Sequence, residues 1–246
     1  MPDAIDSDAT NAVTGNAAMT TRLNEVKACV FDAYGTLFDV ASAAARCSDV
    51  LGDSAGALAA LWREKQLQYT WLRGLQGKHA DFWQVTGDGL DFAMESLHIT
   101  DADLRQRLMD LYLGLDPFPE VAATLRLLKD AGRTTAILSN GTPRMLAAAV
   151  GNAHLGELID ATMSVEEVGV YKPHPKVYQH AVDRLGVRAG AICFVSSNAW
   201  DAYAASAFGM RTVWCNRYGQ RPERLPGNPD AVIGSLTELP QLLLRP

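Results

Sequence analysis

Four short stretches of the 246-residue chain carry side chains able to do chemistry. The apolar run Ala28-Cys29-Val30-Phe31 stops at a carboxylate, Asp32, and turns at once through Tyr34, Gly35 and Thr36. Thr134–Leu138 leads into Ser139-Asn140-Gly141, and Ala191–Val195 leads into Ser196-Ser197-Asn198-Ala199-Trp200-Asp201. Tyr171-Lys172-Pro173 brings a lysine to the start of a helical pattern. Carboxylates, an ammonium, hydroxyls and amides are groups that hold a small polar ligand and act on it. Taken singly, an Asp after a strand is a turn residue, Ser-Asn-Gly is a turn, and a lysine before proline is solvated. Brought to one edge of one sheet, they make a site.

The elements that must bring them together are legible as patterns. Ala28–Phe31, Thr134–Leu138, Ala191–Val195, Arg211–Cys215 and Ala231–Ile233 are short, apolar and β-branched, as buried parallel strands are. Helical patterns separate the last four. Pro119–Ala131 is closed by Gly132, Thr142-Pro143 offers an N-cap and a first-turn proline, and Pro175–Leu185 is closed by Gly186. This alternation predicts an α/β fold, a Rossmann-like doubly wound parallel sheet, which binds ligands beyond the carboxyl ends of its strands. Residues 41–115 break the rhythm, with helical patterns over Ala57–Leu75, Asp81–Leu97 and Asp101–Gly114 and no strand. They are expected to form a helical cap (lid) domain inserted after the first strand, over a core of residues 25–40 and 116–246.

With 48% apolar residues the chain can bury one large core plus an insert. A net charge of −6 gives no basic patch for nucleic acid or a membrane surface, and no apolar run is long enough to span a bilayer. Cys29, Cys47, Cys193 and Cys215 form no CxxC pair, and three lie in strand-like runs; they read as reduced, buried cysteines of a cytoplasmic protein. Residues 1–24 lack periodicity, a basic start and an apolar centre, so they read as a mobile tail rather than a signal peptide, with Met19 as an alternative start.

Asp32-x-Tyr34-Gly35-Thr36, Ser139-Asn140, Lys172-Pro173 and Ser196 to Asp201 resemble, in order, the four motifs of the haloacid dehalogenase superfamily. The resemblance spans residues 26–240. Most members of that superfamily are magnesium-dependent phosphatases with a second aspartate two residues after the nucleophile and a Gly-Asp pair in the last motif. Here those places hold Tyr34 and Ser196-Ser197. Phosphoryl transfer thereby loses its general acid and a metal ligand. The departures match the L-2-haloacid dehalogenase branch, which is also similar in Leu61-Trp62-Arg63 and in Tyr69-Thr70-Trp71-Leu72-Arg73.

The resemblance implies hydrolysis of a carbon–halogen bond beside a carboxylate, with neither metal nor cofactor. Asp32 would displace halide to form an ester, and water would then attack the Asp32 carbonyl. Halide leaves without a proton, so Tyr34 can stand where a phosphatase keeps its acid. Lys172 would balance the charge of Asp32, Thr36 would fix its rotamer, and Ser139 with Asn140 would meet the substrate carboxylate. Arg63, Asn198 and Phe82 would cradle the halide. Asp201, with Ser196 nearby and Tyr178 behind, would orient the hydrolytic water. Leu67, Phe82 and Trp200 would wall the alkyl group. Glu64 follows Arg63 where the branch commonly has Gln, and a carboxylate there repels halide unless it points away. The expected partners are a small anionic 2-haloacid, the halide ion and a second copy of the chain. Rival readings are a phosphatase or phosphonatase, a hydrolase opening a strained ring through the same ester, and a binding module on an inactive fold.

Overall fold

The computed structural model describes residue 23 and residues 25–244. Within the expected tail, Leu23 is buried and its carbonyl accepts from the Val26 amide; the remainder of residues 1–24, Met19 included, lies outside the described residues. Every residue of β1 (Ala28–Phe31) is buried, as the centre of a parallel sheet requires. Helices α1 (Ala41–Ala45), α2 (Ser48–Leu51), α3 (Ser54–Gln76), α4 (Phe82–Ser96) and α5 (Ala102–Leu113) follow before the chain returns through α6 (Val121–Asp130) to β2 (Thr134–Ser139). Then come α7 (Pro143–Asn152), β3 (Ala161–Ser164), α8 (Pro175–Leu185), β4 (Ile192–Ser196), α9 (Ala199–Phe208), β5 (Arg211–Cys215), β6 (Ala231–Ile233) and α10 (Leu239–Leu243).

The sheet has six parallel strands in the order β3-β2-β1-β4-β5-β6. Strand order reverses at β1, with β2 on one side and β4 on the other, so a crevice opens beyond the ends of β1 and β4. Asp32 and the Ser196–Asp201 segment both emerge there. The sequence pattern missed β3. It is a four-residue edge strand whose first residue is half-buried and whose second is exposed, so it lacks the apolar run of the central strands.

Local signals set the helix starts. Thr142 Oγ1 accepts from the Met145 amide at 3.2 Å ahead of Pro143, and Asp81 and Asp101 cap α4 and α5 in the same way. Helices α3 and α4 approach closely because Gly89 has no side chain: a Cβ there would lie 3.0 Å from the Gln66 backbone nitrogen. The indole of Trp62 donates across the same seam to the Thr86 carbonyl at 2.8 Å. All four cysteines are buried and free.

Candidate active site

Asp32 leaves β1 with its amide bonded to the Val195 carbonyl of β4. The chain then folds back tightly. The Ala33 carbonyl accepts from the amides of Thr36, Leu37 and Phe38, and Gly35 adopts φ 89°, a left-handed conformation that favours glycine. This turn aims the Thr36 hydroxyl at Asp32 Oδ2, 3.0 Å away. Thr36 Oγ1 also accepts from the Ser197 amide at 2.8 Å, which leaves its own hydrogen for the carboxylate. Asn198 Nδ2 donates to the same Oδ2 at 2.8 Å, whereas Oδ1 accepts from Lys172 Nζ at 3.1 Å.

Lys172 bridges two acids. Its ammonium also meets Asp201 Oδ2 at 2.8 Å, and Asp201 Oδ1 accepts from the Tyr178 hydroxyl at 2.7 Å. Asp32 is 6% exposed, Lys172 1% and Asp201 0%. Burial pulls the lysine down, but Asp201 and Asp32 outweigh it and hold the ammonium above the usual lysine range. Burial raises Asp201, with Lys172 opposing and Asp32 adding to the rise. Burial also lifts the Tyr178 and Tyr34 phenols well above their ordinary value, reinforced at Tyr178 by Asp201 and at Tyr34 by Tyr112 and then Asp32. Tyr178 donates to Asp201, whereas the Tyr34 hydroxyl is buried without a hydrogen-bond partner among the described residues.

Arg63 reaches the crevice from α3. Its Nη2 donates to Asn198 Oδ1 at 3.2 Å and to the Tyr34 carbonyl at 3.4 Å, and its Nη1 donates to Gln66 Oε1 at 2.8 Å. Gln66 is itself fixed by Thr86 and Tyr112. Arg63, Asn198, Leu67 and Trp200 help line a cavity of about 630 Å³, together with Tyr218, Gln220 and Glu223 from the segment after β5. A second cavity of about 870 Å³ is mainly apolar and runs between α3 and α9, with Lys172 and Tyr178 in its wall and Trp200 shared between the two. Although larger, it has Lys172 but no guanidinium in its lining.

The remaining expected residues divide between site and scaffold. Ser139 is buried, and its Oγ accepts from the Gly141 amide at 3.1 Å, which leaves its O–H free to donate. Phe82 packs on Tyr34 with ring centroids 5.9 Å apart. Asn140 Oδ1 is engaged by the Lys172 amide at 3.0 Å, and Ser196 Oγ by the Asn198 amide at 3.1 Å; both shape the loops that carry the reacting groups. Glu64 is exposed and stands outside the lining of both cavities, the one that Arg63 lines included. Gln66 was missed in the sequence, although its i+3 spacing from Arg63 is a legible signal.

The donor set does not suit a divalent cation, which needs converging oxygen ligands. The Asp32 carboxylate and the Tyr34 carbonyl are already met by an ammonium, an amide NH₂ and a guanidinium. Residues 26–209 match the model of the haloacid dehalogenase-like hydrolases. The chain belongs to that family. It is 49% identical over 224 residues to (S)-2-haloacid dehalogenase 1 of Pseudomonas sp. (strain CBS-3), covering 91% of this chain and 99% of that one. A crystal structure of a dehalogenase with an intermediate complex is 46% identical, with a TM-score of 0.89 over 91% of this chain and 99% of that one. The L-2-haloacid dehalogenase of Xanthobacter autotrophicus, solved with chloropropionic acid covalently bound, is 37% identical, with a TM-score of 0.83 over 89% and 98% of the two chains.

Proposed function

We propose that this haloacid dehalogenase-like hydrolase cleaves the carbon–halogen bond of (S)-2-haloacids through an ester on Asp32, giving the (R)-2-hydroxy acid and halide. The reading rests chiefly on one observation. Asp32 is held by Thr36, Asn198 and Lys172, and the Arg63 guanidinium donates to the same Asn198 side chain that bonds Asp32 Oδ2. Oδ2 accepts two hydrogen bonds and Oδ1 one, so Oδ1 keeps the lone pair for attack. It displaces halide from the back of C2, forming the C–O bond as the C–X bond breaks and inverting that carbon. Halide departs toward Arg63 and Asn198, and Ser139 holds the substrate carboxylate. Water, oriented by Asp201 with Lys172 and Tyr178, then attacks the Asp32 carbonyl carbon. One water proton ends on the product hydroxyl, the other is released, and Asp32 is restored carrying a water oxygen.

Residues 41–115 act as the cap: α3 and α4 supply Arg63, Leu67 and Phe82 and exclude water while the ester forms. Candidate substrates are short 2-haloalkanoates, haloacetates and fluoroacetate. A second copy of the chain is proposed to cover the apolar face at Trp71, Leu75 and Leu225, since Leu75 is 87% exposed. Light scattering should then give a dimer that Leu75→Glu dissociates. The catalytic reading is tested with L- and D-2-chloropropionate in EDTA. Chloride from the L form alone, unaffected by chelator, supports it. Magnesium-dependent phosphate release with no chloride refutes it.

A further inference from the structure

We infer that Arg217, on the loop after β5, is a positioning residue for Asp32 that acts through Thr36. This inference rests on the dehalogenase reading for its kinetic consequences and on geometry alone for the contact.

Arg217 Nη2 donates to the Thr36 carbonyl at 2.9 Å, and Nη1 donates to Glu120 Oε1 at 2.6 Å. Its guanidinium carbon lies 3.8 Å from the Phe118 ring centroid, over the ring face. The side chain is only 9% exposed and its partner Glu120 15%. The plane is therefore fixed by an ion pair, a ring and a carbonyl at once, which a guanidinium can do and an ammonium cannot. Glu120 directly precedes α6, and Phe118 donates its amide to the Leu37 carbonyl. Three separate segments, around residues 36, 118–120 and 217, thus lock together behind the nucleophile.

The position of that lock matters because Thr36 has a double task. Its hydroxyl must accept from the Ser197 amide at 2.8 Å and give its hydrogen to Asp32 Oδ2 at 3.0 Å. The turn that carries it is short and contains the left-handed Gly35. Without Arg217 the Thr36 carbonyl loses its clamp, and the turn can pivot. The hydroxyl then leaves Oδ2, and Asp32 gains a rotation that takes Oδ1 off the line of attack. Arg217 itself lines neither cavity, so its loss removes no direct contact with a bound substrate.

The test compares Arg217→Met, Glu120→Gln and Thr36→Val, and adds Arg217→Met in the Thr36→Val background. Arg217→Met should lower kcat about 10- to 100-fold with KM within about twofold, the cost of a misplaced reacting group. In the Thr36→Val background the same change should cost less than about twofold, because no hydroxyl remains to be placed. Glu120→Gln keeps an acceptor for the guanidinium and should hold kcat within about twofold. Hydrogen exchange at the Ser197 amide reads the clamp without turnover and should quicken at least about tenfold in Arg217→Met, as local opening grows easier. Equal losses of kcat in both backgrounds, or unchanged Ser197 exchange, would overturn the inference. A wild-type protein that releases no halide would instead sink the dehalogenase reading, with the exchange result still deciding the role of Arg217.

Discussion

Replacing Lys172 with methionine removes the ammonium from between two buried carboxylates. Methionine fills most of the lysine stem's volume, so the cost is electrostatic rather than a cavity. Asp201 would keep only the Tyr178 hydroxyl, and Asp32 only Thr36 and Asn198. With Asp201 0% and Lys172 1% exposed, solvent screens little of this. Deleting one partner of a buried pair costs about 3–5 kcal/mol. In a chain of this size about 4 kcal/mol lowers Tm by roughly 8–16 °C. Adding Asp201→Asn to the variant removes one stranded charge while an amide oxygen still accepts from Tyr178. That should return about 2 kcal/mol without restoring halide release. Thermal unfolding and chloride release on the two variants and the wild type measure both quantities. A Lys172→Met protein that unfolds within about 2 °C of wild type would refute the buried Asp–Lys–Asp account. So would a double variant no more stable than the single one.

Other consequences follow from the same geometry. Gly141→Ala would place a Cβ 2.8 Å from Tyr34 Cε2 and 3.1 Å from Leu146 Cδ2. Overpacking of this kind costs about 1–3 kcal/mol, and urea unfolding together with a lowered kcat should report it. Glu64→Gln should leave kcat/KM for L-2-chloropropionate within about twofold, since an exposed change away from contacts is worth less than about 0.5 kcal/mol. Lys172, raised in the folded protein, contributes stability that is intact below the unfolded lysine value of about 10.4 and lost as pH rises through the folded one. Urea unfolding between pH 8 and 11 should therefore show no lysine-linked loss until about pH 10, and an earlier loss that is absent in Lys172→Met would reverse the sign.

The strands that carry the chemistry are legible because each apolar run ends abruptly on a polar residue at the sheet rim. Edge strand β3 has no such contrast: Ala161 and Thr162 are half-buried or exposed, so no apolar run marks it. Helical phase separates Arg63 from the exposed Glu64, since neighbours on a helix point about 100° apart, but which of them faces the sheet comes from the resemblance and not from the phase. The scaffold duties of Asn140 and Ser196 depend on loop backbone angles, which residue type alone does not reveal. Arg217 lies 181 residues from Thr36 in sequence, and no local pattern links them.

The central claim is that Asp32, and not water, first attacks C2 of the substrate. A single turnover with enzyme in excess over L-2-chloropropionate, run in H₂¹⁸O, tests it most directly. Mass spectrometry should find ¹⁶O in the new hydroxyl of the lactate and one ¹⁸O in the peptide containing Asp32. Lactate carrying ¹⁸O, with Asp32 unlabelled, would mean that water attacks the substrate directly, and the ester account would fall.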